Sequence, residues 1–263
     1  MTLTPLSQSD ASINQLPRRH INVPARVAMS EDIVSLTSFS LTHVHYDPTD
    51  PISYLCAWLA LVPQGLCVMY VTLIWSTREV EIVLLGAGQF ACEVLNFALK
   101  RLIKEERPPR MNGKGYGMPS SHAQFVTFFA VSMTLFLLFR HQPPGPTHRK
   151  SNHSPMSLLE RVFWSTAGLA GAFTVAWSRV YLNYHTEKQV LVGCTAGMVI
   201  AVAWFAITSI LRRVGLVAWA MEIPVARWLR IRDLVVEEDL CQAGWEKWDD
   251  RMAASKAQDK KRS

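Results

Sequence analysis

The sequence predicts an all-α protein, a transmembrane helical bundle of about five spans. Three observations lead there. Of 263 residues, 49% are hydrophobic and nine are tryptophan, a proportion rich for a soluble chain. The apolar residues gather into five stretches, 53–75, 80–99, 123–139, 162–180 and 190–211, each close to the ~20 residues a helix needs to cross a bilayer. The charges gather between them, most densely over residues 100–114, where six cations stand against the two anions Glu105 and Glu106. A soluble protein with long buried helices accounts for one or two such runs. It does not account for five in succession.

Taken in order, residues 1–50 are polar, carry Pro17, Pro24 and Pro48, and contain no apolar core of a cleavable signal peptide. Their first ~35 residues read as disordered, and SFSLTHVHYDP (residues 38–48) as packed or lying at the membrane surface. Targeting then falls to the first span of a transmembrane domain, residues 51–212. Its second span holds Gln89, Glu93 and Asn96, and its third is short. A proline-rich loop (141–155) separates the third and fourth spans, and a basic tail (213–263) follows the fifth. In that tail, residues 225–236 place Val225, Trp228, Leu229 and Val235 on one side of a helix, with Arg232 among them. An amphipathic helix on a membrane and a helix packed on its own protein fit this pattern equally. The five cysteines (Cys56, Cys67, Cys92, Cys194, Cys241) form no CxxC pair, which points away from a disulfide framework and a zinc site.

Three polar groups lie at span ends. Lys100, Lys104 and Arg107 recur at four and three residues, one face of a helix that Pro108 and Pro109 should end. Pro119 and Ser120 then make a helix start for the third span, so its free N–H groups face the same cations, the chemistry of a phosphate site. His122 in that first turn is placed to give a proton to a leaving oxygen. The third group, SRVYLNYHTEKQV (178–190), lies between the fourth and fifth spans. Two crossings return the chain to the face it left, so all three groups can meet.

Lys100 with Arg107 and Pro108, Pro119–His122, and Ser178, Arg179 and His185 resemble in order and spacing the signature KxxxxxxRP, PSGH, SRxxxxxHxxxD of the type 2 phosphatidic acid phosphatase superfamily. Ser121 stands in place of the usual Gly, and Gln189 in place of the usual Asp. With GMPSSHAQF, HTEKQV and SFSLTHV, these departures resemble the branch acting on dolichyl diphosphate. That resemblance implies hydrolysis of dolichyl diphosphate to dolichyl phosphate and phosphate in the endoplasmic reticulum, recycling the lipid carrier of N-glycosylation. It further implies that His185 attacks phosphorus to form a phosphohistidine and His122 protonates the leaving oxygen. Lys100, Arg107, Ser120, Ser121 and Arg179 would bind the phosphate, and Gln189 would orient His185 from four residues along the same helix. It implies neither metal nor other cofactor. The expected partners are dolichyl diphosphate and membrane lipids, with no nucleic acid.

Other readings share these residues: a phosphatase acting on phosphatidate or a sphingoid-base phosphate, or a catalytically silent lipid-binding protein, for which the missing Asp speaks. A vanadate-dependent haloperoxidase shares the signature but should be soluble. Orientation follows from charge. Of 27 Lys and Arg, 11 fall on the active-site side and 16 on the other, which favours a cytosolic tail and a lumenal site. The final KKRS then suits a cytosolic dilysine signal, and the Asn152-His153-Ser154 sequon faces the cytosol.

Overall fold

The computed structural model describes residues 37–39, 44–108, 115–141, 156–237 and 240–262. The N-terminal stretch expected to be disordered, Pro109, Arg110, Lys114 and the sequon at Asn152 lie outside them. A short antiparallel pair, β1 (Thr37–Phe39) and β2 (Val44–Tyr46), precedes the helices.

The first expected span is two helices rather than one. The Asp50 side chain caps α1 (Pro51–Leu59) by accepting from the Ile52 and Ser53 N–H groups, and α2 (Val62–Thr77) follows after a break at Ala60 and Leu61. Pro63 is the reason, because its ring would clash with the Leu59 carbonyl in a continuous helix. Next, α3 (Val80–Ile103) stops before the predicted point: Lys104 is its left-handed cap at φ 53°. Lys104 and Arg107 therefore do not share a helical face with Lys100. Backbone pairing across the connection takes over instead, with the Gly117 N–H donating to the Glu105 carbonyl at 2.8 Å and Glu106 bridging Tyr116.

The remaining long helices are α4 (Ser121–Leu135), continued by a π-helical turn (Phe136–Arg140), α5 (Leu158–Tyr181) and α6 (Glu187–Arg213). Four runs have the length and apolarity of a span: 51–77, α3, α4 with its π turn, and α6. Ser165, Thr166, Gly168, Gly171 and Thr174 make α5 less apolar, yet it covers the same distance. Arg161 in its first turn donates to the Leu137 and His141 carbonyls at the far end of α4, while its last turn meets the loop that starts α6. Its 24 residues extend about 36 Å at a helical rise. Beside the four runs, α5 is thus a fifth helix of comparable length in the bundle. Large side chains such as Phe90, Leu102 and Phe173 are more than 70% exposed on the outside, as a lipid solvent allows.

The centre is α4, packed between α3, α5 and α6. It runs parallel to α6 and close to it: a Cβ at Gly193 would lie 2.7 Å from the Ser120 carbonyl oxygen, and one at Gly197 would collide with that of Gln124. Small residues one turn apart are how membrane helices gain close packing, since lipid gives no hydrophobic drive between them. The polar residues of α3 bind across to α4. The Asn96 amide donates to Gln124 Oε1 at 2.7 Å, Gln124 donates to the Cys92 carbonyl at 2.9 Å, and Gln89 donates to that of Phe125 at 3.4 Å.

The far end of the bundle is tied by buried charge. Glu81 pairs with Arg140 at 2.5 Å and Arg212 at 2.6 Å, and Arg212 reaches on to Asp233. Glu79, fully buried, pairs with Arg232 at 2.7 Å and accepts from the Leu234 and Val235 N–H groups. These contacts decide the tail. After α7 (Leu216–Glu222), the helix predicted over 225–236 forms only as α8 (Pro224–Trp228); Arg230 is left-handed and the following segment lies against the protein. A further helix, α9 (Leu240–Arg262), was not foreseen.

Substitution of Gly197 by Ala should overpack the α4–α6 contact and destabilise the protein by about 1–3 kcal/mol. Gly168→Ala meets open space and should be neutral or slightly stabilising. Thermal unfolding in detergent separates the two. Equal midpoints would show that α6 does not depend on this approach.

Candidate active site

The close approach of α4 and α6 brings their N-termini together. The Ser120 N–H donates to the Gln189 carbonyl at 3.1 Å. Ser120 is the N-cap of α4 but makes no side-chain cap; its buried Oγ has no hydrogen-bond partner among the described residues. Ser121 opens α4 beside it. Two adjacent helix starts present unpaired N–H groups to one region, which favours an anion there.

Between α5 and α6 the chain turns through a left-handed Asn183 (φ 55°), and the Tyr184 and His185 N–H groups both donate to the Arg179 carbonyl, at 3.0 and 3.2 Å. This loop fixes His185 next to Arg179. Arg179 is 2% exposed, reaches the Cys56 carbonyl at 3.4 Å and stacks its guanidinium over the Tyr184 ring.

His185 is not on a helix with Gln189, as expected from the sequence, because α6 begins only at Glu187. The two meet through a capping box. Thr186 Oγ1 accepts from the Gln189 N–H at 3.2 Å, and Gln189 Oε1 accepts from the Thr186 N–H at 3.4 Å. The same Oε1 accepts from His185 Nδ1 at 3.2 Å. A carbonyl oxygen can only accept, so Nδ1 carries the proton and Nε2 keeps its lone pair. Burial pushes the imidazole down to about 3, helped by Arg107, Lys100 and His122 and opposed by the Gln189 bond. His185 is neutral at physiological pH.

His122 Nε2–H donates to the Ala60 carbonyl at 3.2 Å. The break between α1 and α2 leaves that carbonyl for it. An imidazole held this way keeps Nδ1 as its other hydrogen-bonding nitrogen. Lys100 sits in the last turn of α3 and Arg107 just beyond its end. Every candidate residue from the sequence thus falls at this end of the bundle: Lys100, Arg107 and His122 act electrostatically on His185, and Ser120, Arg179 and Gln189 bond to its loop or helix.

Sequence reasoning missed Ala60, Glu105 and Gly117. Gln189 Nε2 donates to Glu105 Oε1 at 3.3 Å, and a Cβ at Gly117 would lie 2.6 Å from that nitrogen, so a side chain there would displace the amide. The T-x-x-Q spacing of the capping box was readable; the contact with Glu105, 84 residues away, was not. Among the described residues no group of three or more His, Cys, Asp or Glu could hold a metal ion.

The family model of the PAP2 superfamily matches residues 81–213. A relative from Neurospora crassa is 50% identical, the match covering 89% of this chain and all of the relative. Dolichyldiphosphatase 1 of Dictyostelium discoideum is 35% identical over 80% of this chain and 88% of its own. Dolichyldiphosphatase 1 of Homo sapiens is 40% identical over 74% and 80%. No solved structure matches.

A buried neutral histidine gives stability a pH dependence of known sign. Above the ordinary histidine value of 6.5, the ring is neutral in folded and unfolded chains alike. As pH falls towards about 3 the unfolded chain takes up the proton first, so the folded state loses ground. Between about pH 6.5 and 4.5 the melting midpoint of the parent should therefore fall relative to His185→Gln. A parallel decline of the two proteins would mean that His185 is not held neutral by burial.

Proposed function

The chain belongs to the PAP2 superfamily, and on that premise we propose that it is a membrane phosphatase hydrolysing dolichyl diphosphate to dolichyl phosphate and inorganic phosphate. The names of its relatives support this substrate. The reaction recycles the lipid carrier of protein N-glycosylation, in the membrane of the endoplasmic reticulum.

His185 Nε2 attacks the terminal phosphorus, and the bond to the dolichyl phosphate oxygen breaks. His122 gives that oxygen its proton. Lys100, Arg107, Arg179, Ser120 Oγ and the N–H groups of the α4 start hold the equatorial oxygens, where charge develops. Water then attacks the phosphohistidine, His122 takes its proton, and phosphate leaves. Gln189 fixes the Nδ1–H tautomer of His185 that this sequence requires. The observation that carries the reading is the His185–Gln189 bond, because it leaves Nε2 free at an end of the bundle rich in cations.

His185→Ala should lower phosphate release from dolichyl diphosphate by at least about a thousandfold in protein that still inserts and melts normally. Rapid quenching of the parent with labelled substrate should trap acid-labile phosphate on His185. Full activity in His185→Ala would end this mechanism. Faster hydrolysis of phosphatidate than of dolichyl diphosphate would replace the substrate.

The site faces the lumen and the tail the cytosol, by the distribution of Lys and Arg. In sealed microsomes a C-terminal tag should therefore be digested by added protease, and Asn152 should carry no glycan. A protected tag would reverse the orientation.

A further inference from the structure

Gln189 is fully buried, and its amide has two different neighbours. Its Oε1 faces His185 Nδ1 at 3.2 Å, and its Nε2 faces Glu105 Oε1 at 3.3 Å. A carboxylate only accepts, so Glu105 obliges the amide to turn its NH₂ outward and its oxygen towards the histidine. The Thr186 N–H donates to that same oxygen and agrees with this orientation. Were the amide reversed, it would donate to Nδ1, move the imidazole proton to Nε2 and remove the nucleophilic lone pair.

Glu105 is itself held. Its backbone carbonyl accepts from the Gly117 N–H at 2.8 Å, its Oε2 pairs with Lys188 at 3.2 Å, and Gly117 leaves the space through which the amide reaches it. The Glu105 side chain is 33% exposed, so it keeps more of its hydration than a buried carboxylate does. The arrangement is a chain from His185 through Gln189 to Glu105.

The geometry points to Glu105 as the positioning residue that sets the Gln189 amide and supplies, one group removed, the negative charge that a carboxylate at position 189 would otherwise give. This rests on the nucleophilic role of His185 proposed above. As His185 becomes cationic on phosphorylation, the polarised amide passes part of the Glu105 charge to Nδ1–H. Glu105 touches neither substrate nor the reacting nitrogen.

The test is an exchange between positions 105 and 189, read by kcat, KM and the rate of phosphohistidine formation on dolichyl diphosphate. Glu105→Gln retains a hydrogen-bonding side chain but removes the charge, and should lower kcat by about 10- to 100-fold, the usual loss for a group supporting a reacting one, with KM changed less than about threefold. Gln189→Glu alone should also be impaired, because it sets two carboxylates at hydrogen-bond distance. The double variant Glu105→Gln/Gln189→Glu returns one carboxylate and one amide in reversed order, and should recover to within about tenfold of the parent, above either single variant. Glu106→Gln, which removes the adjacent charge, should match the parent.

Parental kcat in Glu105→Gln would overturn the inference. So would a double variant worse than both singles, which is the outcome of a merely structural role, or equal losses in Glu105→Gln and Glu106→Gln, which is the outcome of general electrostatics. If His185 is not labelled in the parent, the nucleophile assignment fails and this inference fails with it. If His185 is labelled and Glu105→Gln is indifferent, only the role of Glu105 is lost.

Discussion

Everything at the candidate active-site end depends on how closely α6 lies against the first turns of α4. In a bilayer two helices gain nothing from hiding apolar surface from each other, because the lipid is equally apolar. Contact must come from close packing and from hydrogen bonds, and Gly193 and Gly197 allow both by putting the α6 backbone against the Ser120 and Gln124 carbonyls. The Ser120 N–H can then reach the Gln189 carbonyl. That bond places the unpaired N–H groups of α4 beside the loop carrying His185. A wider crossing would leave the same residues at the same end of the bundle but in no common site.

The second constraint is that each polar group inside the spans needs a partner, and the two ends of the bundle meet it differently. At the far end cations and anions are matched: Glu81 with Arg140 and Arg212, Asp233 with Arg212, Glu79 with Arg232. In mid-bundle the amides of Gln89, Asn96 and Gln124 bind carbonyl oxygens. At the candidate active-site end Lys100, Arg107 and Arg179 stand near two histidines, and the carboxylate of Glu105 is held to the outer side by Lys188 and Gln189. That gathering of cations gives an anionic headgroup one end to prefer. The matched end serves a mechanical purpose, fixing the tail segment after α8 to the ends of α3 and α6.

Much of this was legible in the sequence, for identifiable reasons. The spans follow from apolar run length, and the convergence of the polar groups follows from counting crossings. The departures share one cause, tertiary contact overriding local pattern. Helical spacing carried Lys100, Lys104 and Arg107 along one face, but pairing of Glu105 and Glu106 with Gly117 and Tyr116 ended α3 early. The stripe over residues 225–236 read as a helix until Glu79 and Arg212 claimed its Arg232, Asp233 and backbone. Pro63 was a visible break signal inside the first span, and its consequence, a carbonyl left for His122, needed the third dimension. Glu105 was counted merely as one of two anions among cations, because nothing local ties it to Gln189.

The amide at position 189 then ceases to be a defect in the signature. That position is fully buried, and Glu105 Oε1 lies 3.3 Å from its side-chain nitrogen. A carboxylate placed there would meet another carboxylate at contact distance, and the pair could not both ionise, so one would hold a proton and neither would serve His185 well. A Gln avoids the conflict: its oxygen fixes the imidazole tautomer and its nitrogen answers the existing charge. The negative charge stays on a partly exposed side chain, where desolvation is smaller, and its influence is carried inward by an oriented dipole. Positions 105 and 189 therefore constrain each other, and an amide at one is the physical counterpart of a carboxylate at the other.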